Sequence, residues 1–473
     1  MIDSASGPAA LLWLRRDLRL NDHPALAAAM AGGRRVVPVF VLDPRLLVGP
    51  RASANRTWFL LGALRELASE LAARGAPLVV RTGRPEAVIP ALAAAAGAAD
   101  VFATRDVSPF ARTRDRAVRD ALAADGRRLH LAPGLLVAEP EQILTNDGRP
   151  VTVFTPFARR WAAVPRRLLV VAPDTIPSLR AGVLGGELLP SGPEPTADPA
   201  LLPRPGESAA RERLGAWATS AALAGYAAGR NRLGDEGTSR LSADLKVGTL
   251  SPLEVLLTAE GPGDGRRVFV AELCWREFYA HVLWHFPHVT RAAYRPAYDA
   301  VPWADDPAGL AAWQEGRTGY PIVDAAMRQL TASGWMHNRA RMIAASFLAK
   351  DLLIDWRRGE DHFMVHLVDG DVASNNGGWQ WTAGTGTDAA PYFRVFNPVS
   401  QGRRFDPDGA YVRRWVPQLA GVPDAYVHEP WTMPAEVQVA ARCVIGRDYP
   451  APIVDHAEAR ERALTAYASV KRA

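Results

Sequence analysis

Cysteine is nearly absent from this chain, which has only Cys274 and Cys443 in 473 residues. Two isolated cysteines provide neither a disulfide framework nor a metal-binding cluster, so we expect a reducing, cytoplasmic location and no metal site. The first residues, MIDSASGPAA, lack the basic segment of a secretory signal. No apolar run is long enough to span a membrane, so we expect no membrane association.

A strong charge of either sign is also missing. The net charge is +5, and charged residues make up 22% of the chain. This balance permits a polyanionic partner but does not require one. No G-x-G-x-x-G motif follows the first predicted strand, so a nicotinamide dinucleotide site has no support there.

The first part of the chain alternates short apolar runs with helical patterns. Such an alternation predicts an α/β domain with a Rossmann-like parallel sheet and helices on its faces. The predicted strands are 11–14, 36–42, 77–80, 100–103 and 128–131. The helices between them are predicted at 55–73, 85–96 and 113–124.

Prolines concentrate between residues 172 and 206, and this predicts an irregular connector. The chain beyond it has an almost entirely helical pattern. We predict an α/β domain over residues 9–135, a long linker over 136–206 and an all-α domain over 207–473. The main helices are predicted at 211–229, 252–259, 267–285, 307–315, 322–333, 339–355 and 359–367.

The segment AELCWREFYAHVLWH (271–285) places polar and aromatic residues on one helical face. Glu272, Trp275, Arg276 and Tyr279 follow the spacing i, i+3, i+4 and i+7. Burying a carboxylate and a guanidinium unpaired would be costly, so this face is expected to line a groove.

The stretch DGDVASNNGGWQWTAGTGTDAAPYF (369–393) has an unusual mixture of residues. Carboxylates, amides and glycines surround Trp379 and Trp381. This mixture fits neither a plain amphipathic helix nor an alternating strand. Its glycines would let a ligand approach the backbone closely, so we predict the wall of a ligand site.

The segment GWMHNRARM (334–342) is predicted to place Trp335, Asn338 and Met342 on one helical face, with Arg341 one turn from Asn338. Asparagine both donates and accepts hydrogen bonds, which suits the edge of a base or a flavin. His337 has no partner at a metal-binding spacing, so a structural role is expected.

The segment GTSRLSADLKVG (237–248) offers the hydroxyls of Thr238, Ser239 and Ser242 before a helical pattern. A hydroxyl in that position supplies a helix N-cap, and the exposed N–H groups suit a phosphate. Most such caps only start helices, so this signal is weak alone.

Together, these motifs resemble the DNA photolyase/cryptochrome family, specifically the class I cyclobutane pyrimidine dimer photolyases. The resemblance covers nearly the whole chain and is densest in 318–330, 334–360 and 369–398. It implies an antenna domain, a long linker and a helical FAD-binding domain, in agreement with the predicted architecture.

The resemblance implies a bound FAD. Arg341 and Asp369 would form an ion pair beside the flavin ring, and Asn375 would face flavin N5. The implied FAD-binding residues are Tyr226, Thr238, Ser239, Arg240, Leu241, Ser242, Trp335, Asn338, Arg341, Asp369, Gly370, Asp371 and Asn375.

The resemblance also implies a pocket for a pyrimidine dimer in UV-damaged DNA, single- or double-stranded. Trp275 and Trp381 would form its aromatic walls, and Glu272 and Asn338 would bind thymine edges. The implied DNA-binding residues are Arg230, Glu272, Trp275, Arg276, Asn338, Arg339, Met342, Trp381 and Gln401.

The implied activity is that of a deoxyribodipyrimidine photo-lyase, acting as a monomer. Excited reduced FAD would give an electron to a flipped-out dimer. Trp379, Trp356 and Trp303 match the chain of tryptophans that photoreduces the flavin. The catalytic set is thus these three residues with Asn375 and Glu272.

Alternatives to this function and to its antenna stay open. A blue-light-sensing cryptochrome without repair activity is one, although Asn375 stands where plant cryptochromes have aspartate. A six-four photoproduct photolyase is another, although Met342 follows the cyclobutane pattern. Lys246 matches a lysine of deazaflavin-binding relatives, so we expect 8-hydroxy-5-deazaflavin as antenna. Methenyltetrahydrofolate or no antenna are the alternatives, and the stretch TRDVSPFARTRD lacks the Asn-Glu pair of a folate site.

Overall fold

The computed structural model describes residues 7–179, 182, 184–389, 391 and 394–470. Its sheet has five parallel strands in the order β3-β2-β1-β4-β5. The predicted Rossmann-like sheet is therefore confirmed, with small shifts at the strand ends. The strands are β1 (Ala9–Leu14), β2 (Arg35–Leu42), β3 (Val79–Thr82), β4 (Asp100–Thr104) and β5 (Arg128–Ala132).

Helices accompany this sheet, as the alternating pattern predicts. All residues of β1 are buried, as expected for a central strand covered on both faces. Ser53 and Ser108 cap two of the helices, since their hydroxyls accept hydrogen bonds from backbone N–H groups of the first turn. The helices are Pro24–Met30, Pro44–Leu47, Ala54–Ala73, Pro85–Ala95, Pro109–Ala124 and Phe154–Ala163.

The proline-rich connector has no helix or strand among its described residues, as predicted. It nevertheless bonds to the sheet. The N–H of Glu187 donates to the Val80 carbonyl, and the Glu187 carboxylate accepts from Thr82. These bonds cover part of β3, the edge strand, whose backbone groups would otherwise be open to another chain.

The chain beyond residue 206 is helical, which confirms the predicted all-α part. Its α-helices are Glu207–Ala218, Ala221–Ala224, Tyr226–Gly229, Ser242–Val247, Pro252–Ala259, Asp264–His285, Pro307–Gln314, Pro321–Ser333, Asn338–Ser346, Trp356–His366, Val372–Ala383, Pro398–Phe405, Ala410–Trp415, Ala435–Ala440 and His456–Val470. Short 3-10 turns are Ala31–Gly33, Pro140–Gln142, Pro287–Thr290, Pro296–Ala300, Pro417–Leu419 and Pro430–Thr432. Among the described helices, none combines the length and the apolarity that crossing a membrane requires.

The single helix predicted at 211–229 is wrong, because the structure breaks it twice. The first helix ends at Ala218, where the Ser220 hydroxyl donates to the Trp217 carbonyl at 2.7 Å. The same hydroxyl accepts from the N–H of Leu223 at 3.1 Å and so begins the next helix. Serine competes for backbone groups in this way at helix ends.

The helix predicted at 339–355 is also interrupted. The α-helix Asn338–Ser346 continues as a π-helix over Phe347–Asp351. Leu353 then adopts a φ of 54°, in the left-handed region, and this ends the helix. A local apolar pattern does not show such a change of winding.

The stretch 369–393 contains a helix, which the sequence pattern did not predict. The helix Val372–Ala383 begins at Asp371, whose carboxylate accepts from the N–H groups of Ala373 and Ser374. It ends at Gly384, which has a φ of 82°. Its buried residues include Asn376, Gln380 and Thr382, so the sequence shows no apolar face. Positions 390, 392 and 393 of the stretch lie outside the described residues.

The chain divides into two compact units, each discontinuous in sequence. The first holds the described residues of Met1–Pro195, Pro203–Ala224 and Ser239–Pro287. The second holds those of Thr196–Leu202, Gly225–Thr238 and His288–Ala473. The domain boundaries predicted from the sequence, 9–135, 136–206 and 207–473, stay a prediction.

Within the first unit, the buried carboxylate of Glu277 fixes the helix Asp264–His285. It accepts hydrogen bonds from the N–H of Val137, from the N–H of Ala138 at 3.1 Å and from Trp161 Nε1 at 2.7 Å. Burial raises the pKa of Glu277, and the three donors oppose that rise. One side chain thus joins the helix to two distant segments.

We expect Glu277→Gln to lower the stability of the protein. The amide has one acceptor oxygen, so at least one buried N–H loses its partner, which costs about 1–3 kcal/mol. The thermal midpoint should fall clearly below that of the wild type. Glu212→Gln, at an exposed ion pair with Arg204, is the control and should leave the midpoint unchanged. Equal midpoints for the two variants would contradict the anchoring role.

Candidate active site

The helix Asp264–His285 carries the first group of candidate residues on one face. Glu272, Trp275, Arg276 and Tyr279 are each half-buried, whereas the opposite face is buried. The guanidinium of Arg276 donates to the Leu135 carbonyl at 3.1 Å. The face therefore has the partial exposure expected of a groove lining.

Trp275 has an aromatic partner that the sequence did not reveal. Its ring lies parallel to that of Phe154, with 3.6 Å between the centroids and 5° between the planes. Phe154 begins the helix Phe154–Ala163, more than a hundred residues away, so only the tertiary structure brings the two together. One face of Trp275 is thus supported by a second ring.

The second unit gathers arginines around Arg339. Burial, and then the guanidiniums of Arg230, Arg404 and Arg394, lower the pKa of Arg339 to about 10. Asn231 accepts from Arg339 at 2.8 Å. Concentrated like charge creates a positive potential that attracts polyanions. Gln401 is half-buried in the helix Pro398–Phe405, which also carries Arg404.

Arg341 and Asp369 form the predicted ion pair, with 2.8 Å between Nη2 and Oδ2. Arg341 Nε also donates to the Met336 carbonyl at 2.8 Å, which fixes the guanidinium. Asp369 and Gly370 are buried. Asp369 Oδ1 has no hydrogen-bond partner among the described residues, so an acceptor is available beside the pair.

Asp371 and Asn375 occupy the start of the helix Val372–Ala383. Asp371 is its N-cap, as described above, so this carboxylate already binds two backbone N–H groups. Asn375 is half-buried, and its Nδ2 donates to the Glu360 carbonyl at 3.0 Å. This bond fixes the orientation of the amide.

The predicted shared face of Trp335, Asn338 and Met342 is only partly correct. Trp335 precedes the helix, which begins at Asn338 after the cap His337. His337 Nδ1 accepts from the N–H of Arg339 at 3.1 Å, so its structural role is confirmed. Asn338 is exposed, with its Nδ2 at 3.9 Å from the Met342 sulfur.

The hydroxyl cap predicted in the segment 237–248 is wrong. The helix Ser242–Val247 starts after Leu241, and no side chain caps it. Thr238 and Ser239 are half-buried, and Ser242 is exposed. Arg240 is exposed with a φ of 52°, a left-handed conformation that turns the chain before the helix. In the second unit, Tyr226 is buried with Arg230 5.9 Å from its ring centroid.

Lys246 lies beside the loop that follows β1. The Lys246 carbonyl accepts from Arg16 Nε at 3.1 Å, and the side chain is half-buried. Ligands of parallel sheets bind outside the carboxyl ends of the strands, where this loop begins. After β4, Arg105 pairs with Glu139 and Glu141 and covers the Trp284 ring at 4.2 Å.

The candidate tryptophans of the second unit differ in exposure. Trp356 and Trp379 are buried, Trp303 is half-buried, and none of their indole N–H groups has an acceptor among the described residues. Trp381 is half-buried. Two positions apart on a helix, Trp379 and Trp381 point to different sides. Among the described residues, no group of three or more His, Cys, Asp and Glu could hold a metal ion.

Gly359 brings Trp379 close to the helix Trp356–His366. A Cβ on Gly359 would overlap Cη2 of Trp379 and lie 2.6 Å from its Cζ2 and from Leu348 Cδ2. The ring also packs edge-on against Trp313, with 6.0 Å between centroids, and Phe363 at 5.0 Å. Nothing in the local sequence distinguishes Gly359, Trp313 or Phe363 from ordinary core residues, so none of the three was predicted.

Comparison with known proteins matches both parts of the chain. Residues 10–177 match the family model of DNA photolyase, and 269–469 match that of the FAD binding domain of DNA photolyase. A deoxyribodipyrimidine photo-lyase of Agrobacterium fabrum is 41% identical over 98% of both chains. The chain belongs to the DNA photolyase family.

Solved structures of the photolyase family agree. A bacterial class III photolyase from Agrobacterium tumefaciens has a TM-score of 0.94 and 39% identity, with 100% of both chains covered. A Synechocystis cryptochrome has a TM-score of 0.90 and 31% identity, covering 97% of this chain and 99% of that one. The resemblance seen in the sequence is therefore confirmed for the family and the fold.

We expect Gly359→Ala to displace Trp379, because the added methyl group overlaps its ring. Overpacking of this kind costs about 1–3 kcal/mol, so the thermal midpoint should fall. Gly215→Ala is the matched control, since a Cβ there meets nothing within 4 Å and the residue is also helical. If both variants melt at the wild-type temperature, the contact does not constrain Trp379.

Proposed function

We propose that this chain is a deoxyribodipyrimidine photo-lyase that repairs cyclobutane pyrimidine dimers in DNA with light. The observation that carries this proposal is the 41% identity with a relative of that name, over 98% of both chains. The candidate residues support it, because cationic, aromatic and amide side chains occur on partly exposed surfaces. A blue-light-sensing cryptochrome stays the alternative.

The residues present fit an FAD. The Arg341–Asp369 pair offers a cation and an unpartnered carboxylate oxygen, and Gly378 leaves open space on the helix Val372–Ala383. We propose that these groups and Asn375 hold the flavin and adenine parts, with Trp335, Asn338, Gly370 and Asp371. Tyr226 and Thr238–Ser242 would hold the phosphates. Bound reduced FAD supplies the excited-state electron for repair.

On the DNA side, we propose that Trp275 and Trp381 stack against an extruded dimer. Enzymes that act on a base inside a duplex first flip it out, and damaged bases are cheapest to extrude. Glu272 and Asn338 would bind the thymine edges. The contacts to phosphate and to the lesion would be completed by Arg230, Arg276, Arg339, Met342 and Gln401.

The remaining assignments are proposals of the same kind. Trp303, Trp356 and Trp379 would pass electrons toward the flavin, and the class I assignment rests on the sequence motifs.

Lys246 would contact an antenna, for which we propose 8-hydroxy-5-deazaflavin. The stretch after β4 lacks the Asn-Glu pair expected for folate, and Arg105 in it pairs with Glu139 and Glu141. We propose that the protein acts as a cytoplasmic monomer.

The direct test is light-driven repair. The purified protein, reduced with dithionite, is incubated with UV-irradiated oligo(dT) under blue light and in the dark. We expect dimer content to fall only in the light. Unchanged dimers would refute repair. A light-dependent change in partner binding without repair would instead favour the cryptochrome. Repair confined to six-four lesions would replace the cyclobutane dimer by the six-four photoproduct as the proposed substrate.

We expect Trp275→Ala to weaken binding of dimer-containing DNA by roughly tenfold, since base stacking contributes about 1–3 kcal/mol. Fluorescence anisotropy with irradiated and unirradiated oligonucleotides measures this. Trp284→Ala is the matched control. It removes the same side chain from the opposite side of the same helix, where Trp284 lies between Arg105 and Arg112. Loss of bound flavin in Trp275→Ala alone would show that Trp275 is structural.

A further inference from the structure

The guanidinium of Arg357 lies over the ring of Trp356, with 4.8 Å between Cζ and the ring centroid. The two residues are consecutive at the start of the helix Trp356–His366. A cation in this position is attracted to the electron-rich face of a neutral indole. It repels the same indole once the ring has lost an electron and become positive. The guanidinium therefore makes Trp356 harder to oxidise than the same ring would be without Arg357.

Two carboxylates and a carbonyl fix this guanidinium. Arg357 forms ion pairs with Asp299 and, at 3.2 Å, with Asp355, and its Nε donates to the Arg291 carbonyl at 3.1 Å. The Arg357 side chain is only 26% exposed, so water screens its charge incompletely. The position of the cation over the ring is thus built into the fold.

When Trp356 loses an electron, the ring is left with a positive charge, called a hole. The ring keeps this charge as long as it keeps its N–H proton. The ring is buried, and its N–H finds no acceptor in the part of the chain that the structure describes. Among the described residues, the proton therefore has no direct acceptor. No guanidinium covers Trp303 or Trp379 among the described residues. Within the proposed chain of tryptophans, Trp356 is thus the one whose ring is covered by a guanidinium among the described residues.

We propose that Arg357 raises the oxidation potential of Trp356. A hole then moves through this ring and does not remain on it. This inference rests on the proposed function, in which FAD, when bound, would take an electron from Trp379. One electron then moves from Trp356 to the oxidised Trp379, and one moves from Trp303 to the oxidised Trp356. No proton leaves in either step. Compared with a protein that lacks the cation, the second transfer is more favourable, and the hole is shifted toward Trp303.

The test is Arg357→Gln in the flavin-loaded protein, followed by transient absorption of the tryptophan radical cation after a laser flash. The variant loses the cation and leaves Asp299 and Asp355 without it, and both changes stabilise a hole on Trp356. We expect the hole equilibrium between Trp303 and Trp356 to shift toward Trp356 by roughly tenfold, a difference of about 1.4 kcal/mol. A hole held earlier in the chain recombines sooner, so the long-lived radical fraction should fall severalfold.

Two variants separate charge from packing. Arg358→Gln removes an equal charge from the next, exposed residue and should match the wild type. Arg357→Lys keeps the charge and should restore most of the long-lived signal. Thermal midpoints of the flavin-free proteins identify any variant that fails to fold.

The outcomes are distinct. If Arg357→Gln and Arg358→Gln decay alike, or if Arg357→Lys behaves like Arg357→Gln while both fold, the tuning role is overturned. A wild-type protein without any tryptophan radical signal would instead refute the proposed electron chain itself.

Discussion

The contact between the Trp379 ring and Gly359 fixes how closely two helices of the second unit approach each other. The ring lies where a Cβ would stand, so the helix Val372–Ala383 approaches the helix Trp356–His366 closely. The first helix carries Asn375 and Trp381 as well, and the second begins with Trp356. Placing one indole therefore places amide, aromatic and redox candidates together. Close packing of this kind leaves little room for adjustment.

In the first unit, the helix Asp264–His285 is likewise positioned by a single buried side chain. Its buried face presents Glu277, whose carboxylate binds three N–H donors from distant segments. Its half-buried face presents Glu272, Trp275 and Arg276. The polar anchor prevents the helix from rotating, because rotation would bury unpaired donors. The surface proposed to meet DNA is thereby held at a fixed orientation.

Charge is used in two different ways in the second unit. Around Arg339, burial and then the neighbouring guanidiniums lower the pKa of that residue to about 10, and such a concentration of charge attracts polyanions. At Trp356, one guanidinium is held by carboxylates over a single ring. The first arrangement acts at long range on a partner. The second, as proposed above, would act over a few ångströms on a charge within the protein.

Local patterns in the sequence were sufficient to predict the fold class and several of the candidate site residues. Alternating apolar runs predict the parallel sheet, because strand and helix periodicities are properties of neighbouring residues. The spacing of Glu272, Trp275 and Arg276 predicts their common face for the same reason. The long motifs were sufficient for the family.

Only the tertiary structure decided the remaining features. The helix Val372–Ala383 was not predicted because its buried face is partly polar. The break at Ser220 involves the hydrogen bonds of one hydroxyl. The stacking of Phe154 on Trp275 and the packing of Trp379 on Gly359 join residues that are distant in sequence. The sequence by itself thus determined which chemical groups this protein has and how each short segment folds. The tertiary structure decided which groups meet, because contacts between distant segments are chosen by packing of the whole core and not by any local pattern.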